Sequence, residues 1–111
     1  MLDQAGAIFV FLHGSRVAGT ARPGSDLDVA ASFGHPVDSW TLDLPDGVDL
    51  LVLDTAPLEL AGRVAMHGEL LWERDPAARV TWVATTRKVY LDELPRRDQA
   101  RADFVAGRRR G

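Results

Sequence analysis

The sequence contains no cysteine and only three histidines. Disulfides and thiolate metal sites are therefore excluded, and a zinc site has little support. Nor does any apolar run reach the roughly 18 residues of a membrane-spanning helix. The beginning of the chain, MLDQAGAIFVFLHGS, lacks the basic region and the small-residue cleavage site of a signal peptide. These absences predict a cytoplasmic protein that makes no contact with a membrane.

Charge is distributed unevenly along the chain. The net charge is −3, but residues 87–111 hold eight basic and four acidic side chains, whereas residues 1–86 hold five basic and twelve acidic ones. An acidic body does not suit a general nucleic-acid binder, which needs a basic surface. The basic tail either contacts RNA or an acidic partner, or it is a solvated and frayed C-terminus. We expect the second, and no direct binding of nucleic acid.

The pattern of apolar residues predicts one α/β (α+β) domain over residues 1–111, with a frayed tail from about residue 96. Turn residues and prolines divide the apolar segments from one another. Strands are predicted at 7–13, 26–33, 48–54 and 69–73, and helices at 57–68 and from Asp75 to Pro95, where proline breaks the pattern. The expected architecture is a compact sheet with helices packed on it.

Two aspartates flank one leucine at residues 26–28. In a strand, side chains alternate between faces, so Asp26 and Asp28 point the same way, with Cα atoms about 6.5–7 Å apart. Two carboxylates at that separation can hold one hard cation or share two, and magnesium prefers such oxygen ligands. The pattern predicts a magnesium site on this strand.

Gly14 and Ser15 directly follow the first predicted strand. Glycine allows a phosphate to approach the backbone closely, and serine adds a hydroxyl to the amide donors at a helix start. Arg16 and Arg22 are near enough in sequence to neutralise phosphate, although each is equally consistent with an ordinary surface charge. We therefore predict a nucleotide-phosphate site beside the metal site.

Asp49 is the candidate third carboxylate. It lies at the entry of the apolar strand VDLLVLD, where burial without a partner would be costly. A metal shared with Asp26 and Asp28 would explain this position, and the carboxylate could also accept the proton of an attacking hydroxyl. The alternative is a solvent-facing residue at a strand end.

Two other ligand motifs do not fit the stretch. A P-loop needs a lysine after its second glycine, but Thr20 follows Gly19 directly. A calcium loop beginning at Asp26 needs an oxygen ligand at position 30 and a glycine at position 31, and both positions hold alanine. Both alternatives are excluded.

The spacing Gly14-Ser15-x10-Asp26-Leu27-Asp28, followed by Asp49, resembles that of the nucleotidyltransferase superfamily that shares the polymerase-beta palm. The segments GTARPGSDLD and RVAMHGELLWERDPAAR look like those of the minimal nucleotidyltransferases (MNT, MntA-like), the antitoxin partners of HEPN-domain ribonuclease toxins. The resemblance implies a small mixed β-sheet flanked by helices. It also implies a hetero-oligomer with the toxin, for which the amphipathic helix after Asp75 is a candidate surface.

The resemblance further implies an adenylyltransferase that uses ATP as substrate and Mg²⁺ as cofactor. AMP would pass to a tyrosine hydroxyl of the toxin and silence its ribonuclease activity. Catalytic and metal-binding roles would fall to Asp26, Asp28 and Asp49, and nucleotide binding to Gly14, Ser15, Arg16 and Ser25. Two alternatives are an antitoxin that acts by binding alone and transfer of a nucleotide to a small molecule. The three carboxylates favour the catalytic antitoxin, since a pure binder does not need them.

Overall fold

The computed structural model describes residue 2, residues 5–14 and residues 27–110 of the chain. Within these residues the backbone forms four strands and two α-helices, which in chain order are β1 (Phe9–Leu12), β2 (Leu27–Ser32), β3 (Val48–Val52), α1 (Leu58–His67), β4 (Glu69–Glu73) and α2 (Pro76–Arg110). A short 3-10 helix, Ser39–Thr41, lies in the connection between β2 and β3. Every strand lies where the sequence predicts it. Strands β1 and β2 are one or two residues shorter at each end, and β3 is two residues shorter at its C-terminal end.

The strands form one mixed sheet in the order β3-β2-β1-β4. Strand β1 is antiparallel to both of its neighbours, whereas β2 runs parallel to β3. Strand β1 lies between two other strands, and both of its faces are covered by apolar clusters. This burial explains its continuous apolar sequence FVFL. The prediction of a mixed sheet flanked by helices is confirmed.

Each face of the sheet is covered by a different part of the chain. On one face, Val29 and Val52 pack under apolar side chains of the connection 34–47, among them Leu42. On the other, Phe9 packs against both helices, and the ring of Trp82 in α2 lies 5.4 Å from that of Phe9 between centroids. We call this second side the helix face.

One carboxylate ties the end of β2 to the segment that follows β3. Asp54 accepts hydrogen bonds from the backbone amides of Phe33 (2.8 Å) and Gly34 (3.0 Å) and from the Ser32 hydroxyl (3.1 Å). Hydrogen bonds to an ionised acceptor are stronger than those between neutral groups. The second aspartate of VDLLVLD therefore has a structural role, at the opposite end of the strand from Asp49.

Helix α1 has the predicted limits, with Pro57 before its first residue and Gly68 after its last. Its buried side is made of small residues, so that it lies close to α2. A Cβ atom added at Gly62 would overlap the ring of Tyr90 in α2. Glycine at this position therefore allows a close contact between the two helices, at a cost in helix propensity of about 1 kcal/mol.

Helix α2 corrects the sequence prediction. It begins as expected, with Asp75 accepting a hydrogen bond from the Ala78 amide (3.1 Å). Pro95 does not end it, however, and the helix continues to Arg110. Proline removes the N–H that would bond to the Leu91 carbonyl. Because Leu91 and Pro95 are both exposed, water can hydrate the freed carbonyl, and the helix tolerates the proline.

An ion pair fixes the corner between β4 and α2. The Arg79 side chain donates to the Glu73 carboxylate at 2.7 Å, and this hydrogen bond raises the pKa of Arg79. Glu73 is paired with Phe9, at the start of β1. The ion pair therefore lies at the end of the sheet remote from Gly14.

Candidate active site

Asp28 and Asp49 lie side by side at the beginning of two parallel strands. They are register partners on β2 and β3, and adjacent strands are about 4.8 Å apart. Because side chains two positions apart share a face, both carboxylates lie on the helix face, in line with Ala30 and Leu51. Asp28 is half-buried and Asp49 is exposed. Their juxtaposition joins two carboxylates that are 21 positions apart in the chain.

The exposure of Asp49 corrects one step of the sequence argument. The cost of burial predicted for this carboxylate does not arise, because the side chain is open to solvent. Its position beside Asp28 distinguishes it instead, since like charges directly opposite on neighbouring strands repel. A cation held between the carboxylates would remove that repulsion, and oxygen ligands of this kind suit magnesium. The residues present therefore fit the metal that the sequence predicts.

Gly14, two residues after the end of β1, lies against the side chain of Asp28. Its φ of +80° is in the left-handed region that favours glycine. A Cβ atom at this position would overlap Oδ2 of Asp28. The amide of His13 also donates to the Asp28 carbonyl at 3.0 Å. The structure thus brings the predicted phosphate-binding glycine next to a predicted metal ligand.

The remaining predicted site residues lie outside the described residues. They are Ser15, Arg16, Ser25 and Asp26, and the same holds for Arg22. Within residues 2, 5–14 and 27–110, no group of three or more His, Cys, Asp or Glu side chains is arranged to hold a metal ion. Asp28 and Asp49 thus form a pair, to which Asp26 is the predicted addition.

A cleft of about 580 Å³ opens on the helix face at this end of the sheet. We call it the α1 cleft. The described residues that line it come from the segment directly after β1, from β3, from the outer side of α1 and from the turn after α1: His13, Gly14, Leu51, Leu60, Arg63, His67 and Gly68. Gly14 belongs both to the cleft and to the contact with Asp28, so the cleft adjoins the carboxylates.

The α1 residues of this cleft are not among those that the sequence motifs predict. Leu60, Arg63 and His67 recur at intervals of three and four, which places them on one side of the helix. That spacing is the signal that could have found them, but a helix pattern alone does not say which neighbour an exposed side faces. His13, which follows β1 directly, also lines the cleft.

Comparison with known proteins decides the family. Residues 2–77 match the family model described as polymerase beta, nucleotidyltransferase. The chain belongs to the polymerase-beta nucleotidyltransferase family. The matched residues include Gly14, Asp28 and Asp49, so the family resemblance drawn from the motif spacing is confirmed. No curated protein shows significant sequence similarity to this nucleotidyltransferase.

Solved structures similar to this nucleotidyltransferase are toxin–antitoxin complexes. A toxin–antitoxin complex with AMP-PNP has a TM-score of 0.75 and 25% sequence identity, over 90% of this chain and 87% of the other. A tri-AMPylated Shewanella oneidensis HEPN toxin in complex with MNT antitoxin has a TM-score of 0.71 and 22% identity, over 95% and 89%. The MntA–HepT complex has a TM-score of 0.69 and 22% identity, over 90% and 85%. These similarities confirm the fold.

The described helices do not include a membrane-spanning segment. None of them is both long enough and apolar enough to cross a bilayer, although α2 has 35 residues. Charged side chains are spread along α2, which explains this result for the longest helix.

Proposed function

We propose that this chain is a nucleotidyltransferase antitoxin that transfers AMP from ATP to a tyrosine hydroxyl of a HEPN ribonuclease toxin and thereby neutralises it. The register pair of Asp28 and Asp49, with Gly14 against Asp28, carries the proposal. The similar complex that contains AMP-PNP supports ATP as the nucleotide, and the toxin–antitoxin complexes support the class of partner. The need for ATP agrees with action in the cytoplasm.

The proposed metal is magnesium, held by Asp26, Asp28 and Asp49. When bound, it would neutralise the triphosphate and polarise the phosphorus that is attacked. The described pair supports this assignment because it offers oxygen ligands alone and places two negative charges side by side. Without a cation the three carboxylates would repel ATP.

The remaining predicted residues would bind and orient the nucleotide. Gly14 and Ser15 would bind the triphosphate through backbone amides and the hydroxyl, with Arg16 and Ser25 as further donors. Asp49 would accept the proton of the tyrosine hydroxyl. The tyrosine oxygen then forms a bond to the α-phosphorus, the bond from that phosphorus to the bridging oxygen breaks, and pyrophosphate leaves.

The test is the intact mass of the HEPN protein encoded by the neighbouring gene, after incubation with this chain, ATP and magnesium. We expect a gain of one or more AMP units. Asp28→Asn should abolish the gain, as should a chelator. Asp43→Asn is the matched control, because Asp43 is an exposed carboxylate of the connection 34–47.

Three outcomes would contradict the proposal in different ways. Co-purification of the two proteins with no mass gain would favour an antitoxin that acts by binding alone. A mass gain that Asp28→Asn leaves intact would show that the reaction does not use this pair of carboxylates. Transfer to a small molecule, with the HEPN protein unmodified, would redirect the search to another acceptor.

A further inference from the structure

The α1 cleft is open, and its apolar residues have no covering element among the described residues. Leu60 is 42% exposed, although it lies in a helix that packs its other side firmly against the protein. Leu51 lies two positions after Asp49 on the same face, so the apolar floor begins next to the carboxylates. A cleft of about 580 Å³ lies within the range of small-molecule sites, about 300–1,000 Å³.

The polar side chains of the cleft are basic or neutral. His13, Arg63 and His67 line it, and no acidic side chain does so among the described lining residues. Arg63 donates to Glu59 at 2.9 Å, but both side chains of this pair are more than half exposed. Exposed pairs of this kind contribute about 0–1 kcal/mol, so Arg63 can exchange Glu59 for an anionic ligand at little cost.

The wall formed by α1 is held in place from the side opposite the cleft. Arg87 of α2 donates to the Ala65 carbonyl at 2.5 Å, one of the last carbonyls of α1. Gly62 contacts the Tyr90 ring one turn earlier. Leu60, Arg63 and His67 are therefore presented by a fixed helix, as a preorganised ligand site requires.

We infer that the α1 cleft binds the nucleoside end of the nucleotide, with the base over Leu51 and Leu60 and between the imidazoles of His13 and His67. This inference rests on the proposed function. Gly14, a predicted triphosphate-binding residue, lines the cleft, and a planar base with an anionic tail matches an apolar floor with basic edges. The tyrosine side chain of the acceptor is a neutral phenol and offers no anionic group for Arg63 to bind.

ATP consists of a nucleoside end and a triphosphate, and only the first is assigned to the α1 cleft. The test therefore compares ATP with tripolyphosphate, which lacks the nucleoside. Each is titrated calorimetrically against the full chain in magnesium, without the acceptor protein. The variant Leu60→Ala removes apolar floor at an exposed helical position. We expect about tenfold weaker binding of ATP and unchanged binding of tripolyphosphate. Leu91→Ala is the matched control, since Leu91 is a similarly exposed leucine of α2, 47% exposed.

A second variant, Arg63→Gln, tests the basic edge and keeps the length of the side chain. We expect it to weaken ATP binding severalfold and to leave the midpoint of thermal unfolding close to that of the unsubstituted chain. Equal binding of ATP by the unsubstituted chain and Leu60→Ala, together with a raised KM for the acceptor protein, would overturn the inference and assign the cleft to the acceptor.

The proposed function fails separately from this inference. If Leu60→Ala selectively loses affinity for ATP while the unsubstituted chain transfers no AMP to the HEPN protein, the inference about the cleft is supported and the proposed reaction is refuted. If the unsubstituted chain transfers AMP, and Leu60→Ala and Arg63→Gln each bind ATP normally, the reaction is supported and the inference about the cleft is refuted.

Discussion

Asp28 and Asp49 are register partners on the parallel strands β2 and β3, and their carboxylates share the helix face of the sheet. The two residues are remote in sequence, and each is at the beginning of its strand. Strand register therefore creates the pair, and Gly14, two residues after the end of β1, lies against the Asp28 side chain.

If this pair forms one metal site, Asp28→Asn and Asp49→Asn should each lower the rate of AMP transfer by about 10²-fold or more. The double variant should be little worse than the more damaging single variant, because groups that act as a unit are not additive. Single-turnover rates measured for the three variants check this. If the fold-loss in rate of the double variant equals the product of the fold-losses of the two single variants, the two carboxylates act independently.

The same substitutions should not destabilise the metal-free protein. Each removes a repulsion between like charges on neighbouring strands, so the free energy of unfolding should stay constant or rise by a few tenths of a kcal/mol. Urea unfolding in a chelator measures this effect. A marked loss of stability would indicate that the carboxylates have a structural role, like that of Asp54.

Gly14→Ala should lower the rate of AMP transfer, and Gly47→Ala is its matched control. Gly14 and Gly47 have φ values of +80° and +82°, but a Cβ atom would overlap the Asp28 carboxylate only at Gly14, whereas Gly47 has no atom within 4 Å. Both alanine variants should lose about 1–2 kcal/mol of stability. Only Gly14→Ala should also lose about 10²-fold in transfer rate, because a displaced carboxylate misplaces the reacting groups. Equal activity of the two variants would contradict the contact.

Asp54→Ala should reduce the free energy of unfolding by about 2–3 kcal/mol, since it removes the acceptor of three hydrogen bonds. Asp46→Ala, at an exposed position of the connection 34–47, should change it by less than about 0.5 kcal/mol. Urea unfolding measures both. The transfer rate of Asp54→Ala below its unfolding transition should stay near that of the unsubstituted chain, because Asp54 lies at the other end of the strands.

Gly62→Ala should destabilise the protein even though alanine is the better helix former. The added Cβ overlaps the Tyr90 ring, and overpacking of this kind costs about 1–3 kcal/mol. Gly107→Ala, in α2 with nothing within 4 Å, should be neutral or stabilise by up to about 1 kcal/mol. Thermal unfolding of both variants gives the comparison. A gain of stability in Gly62→Ala would show that α1 can move away from α2 at no cost.

Much of the fold follows from local sequence. Apolar runs of strand length predict the four strands, and Pro57 with Gly68 predicts the limits of α1, because these signals act within a few residues. The prediction fails at Pro95. There the local rule for proline is overridden by exposure, since solvent can satisfy the carbonyl that proline leaves free.

The sequence by itself determined the chemical types of the candidate site: a glycine after the first strand, aspartates on the second and third strands, and the spacing typical of nucleotidyltransferases. Tertiary structure alone decided that Asp49 stands beside Asp28 while Asp54 binds the backbone of the β2 end. It alone also decided that Leu60, Arg63 and His67 face the carboxylate end of the sheet. Strand register and helix packing are set by contacts between residues far apart in the chain, and a pattern read along the chain does not contain them.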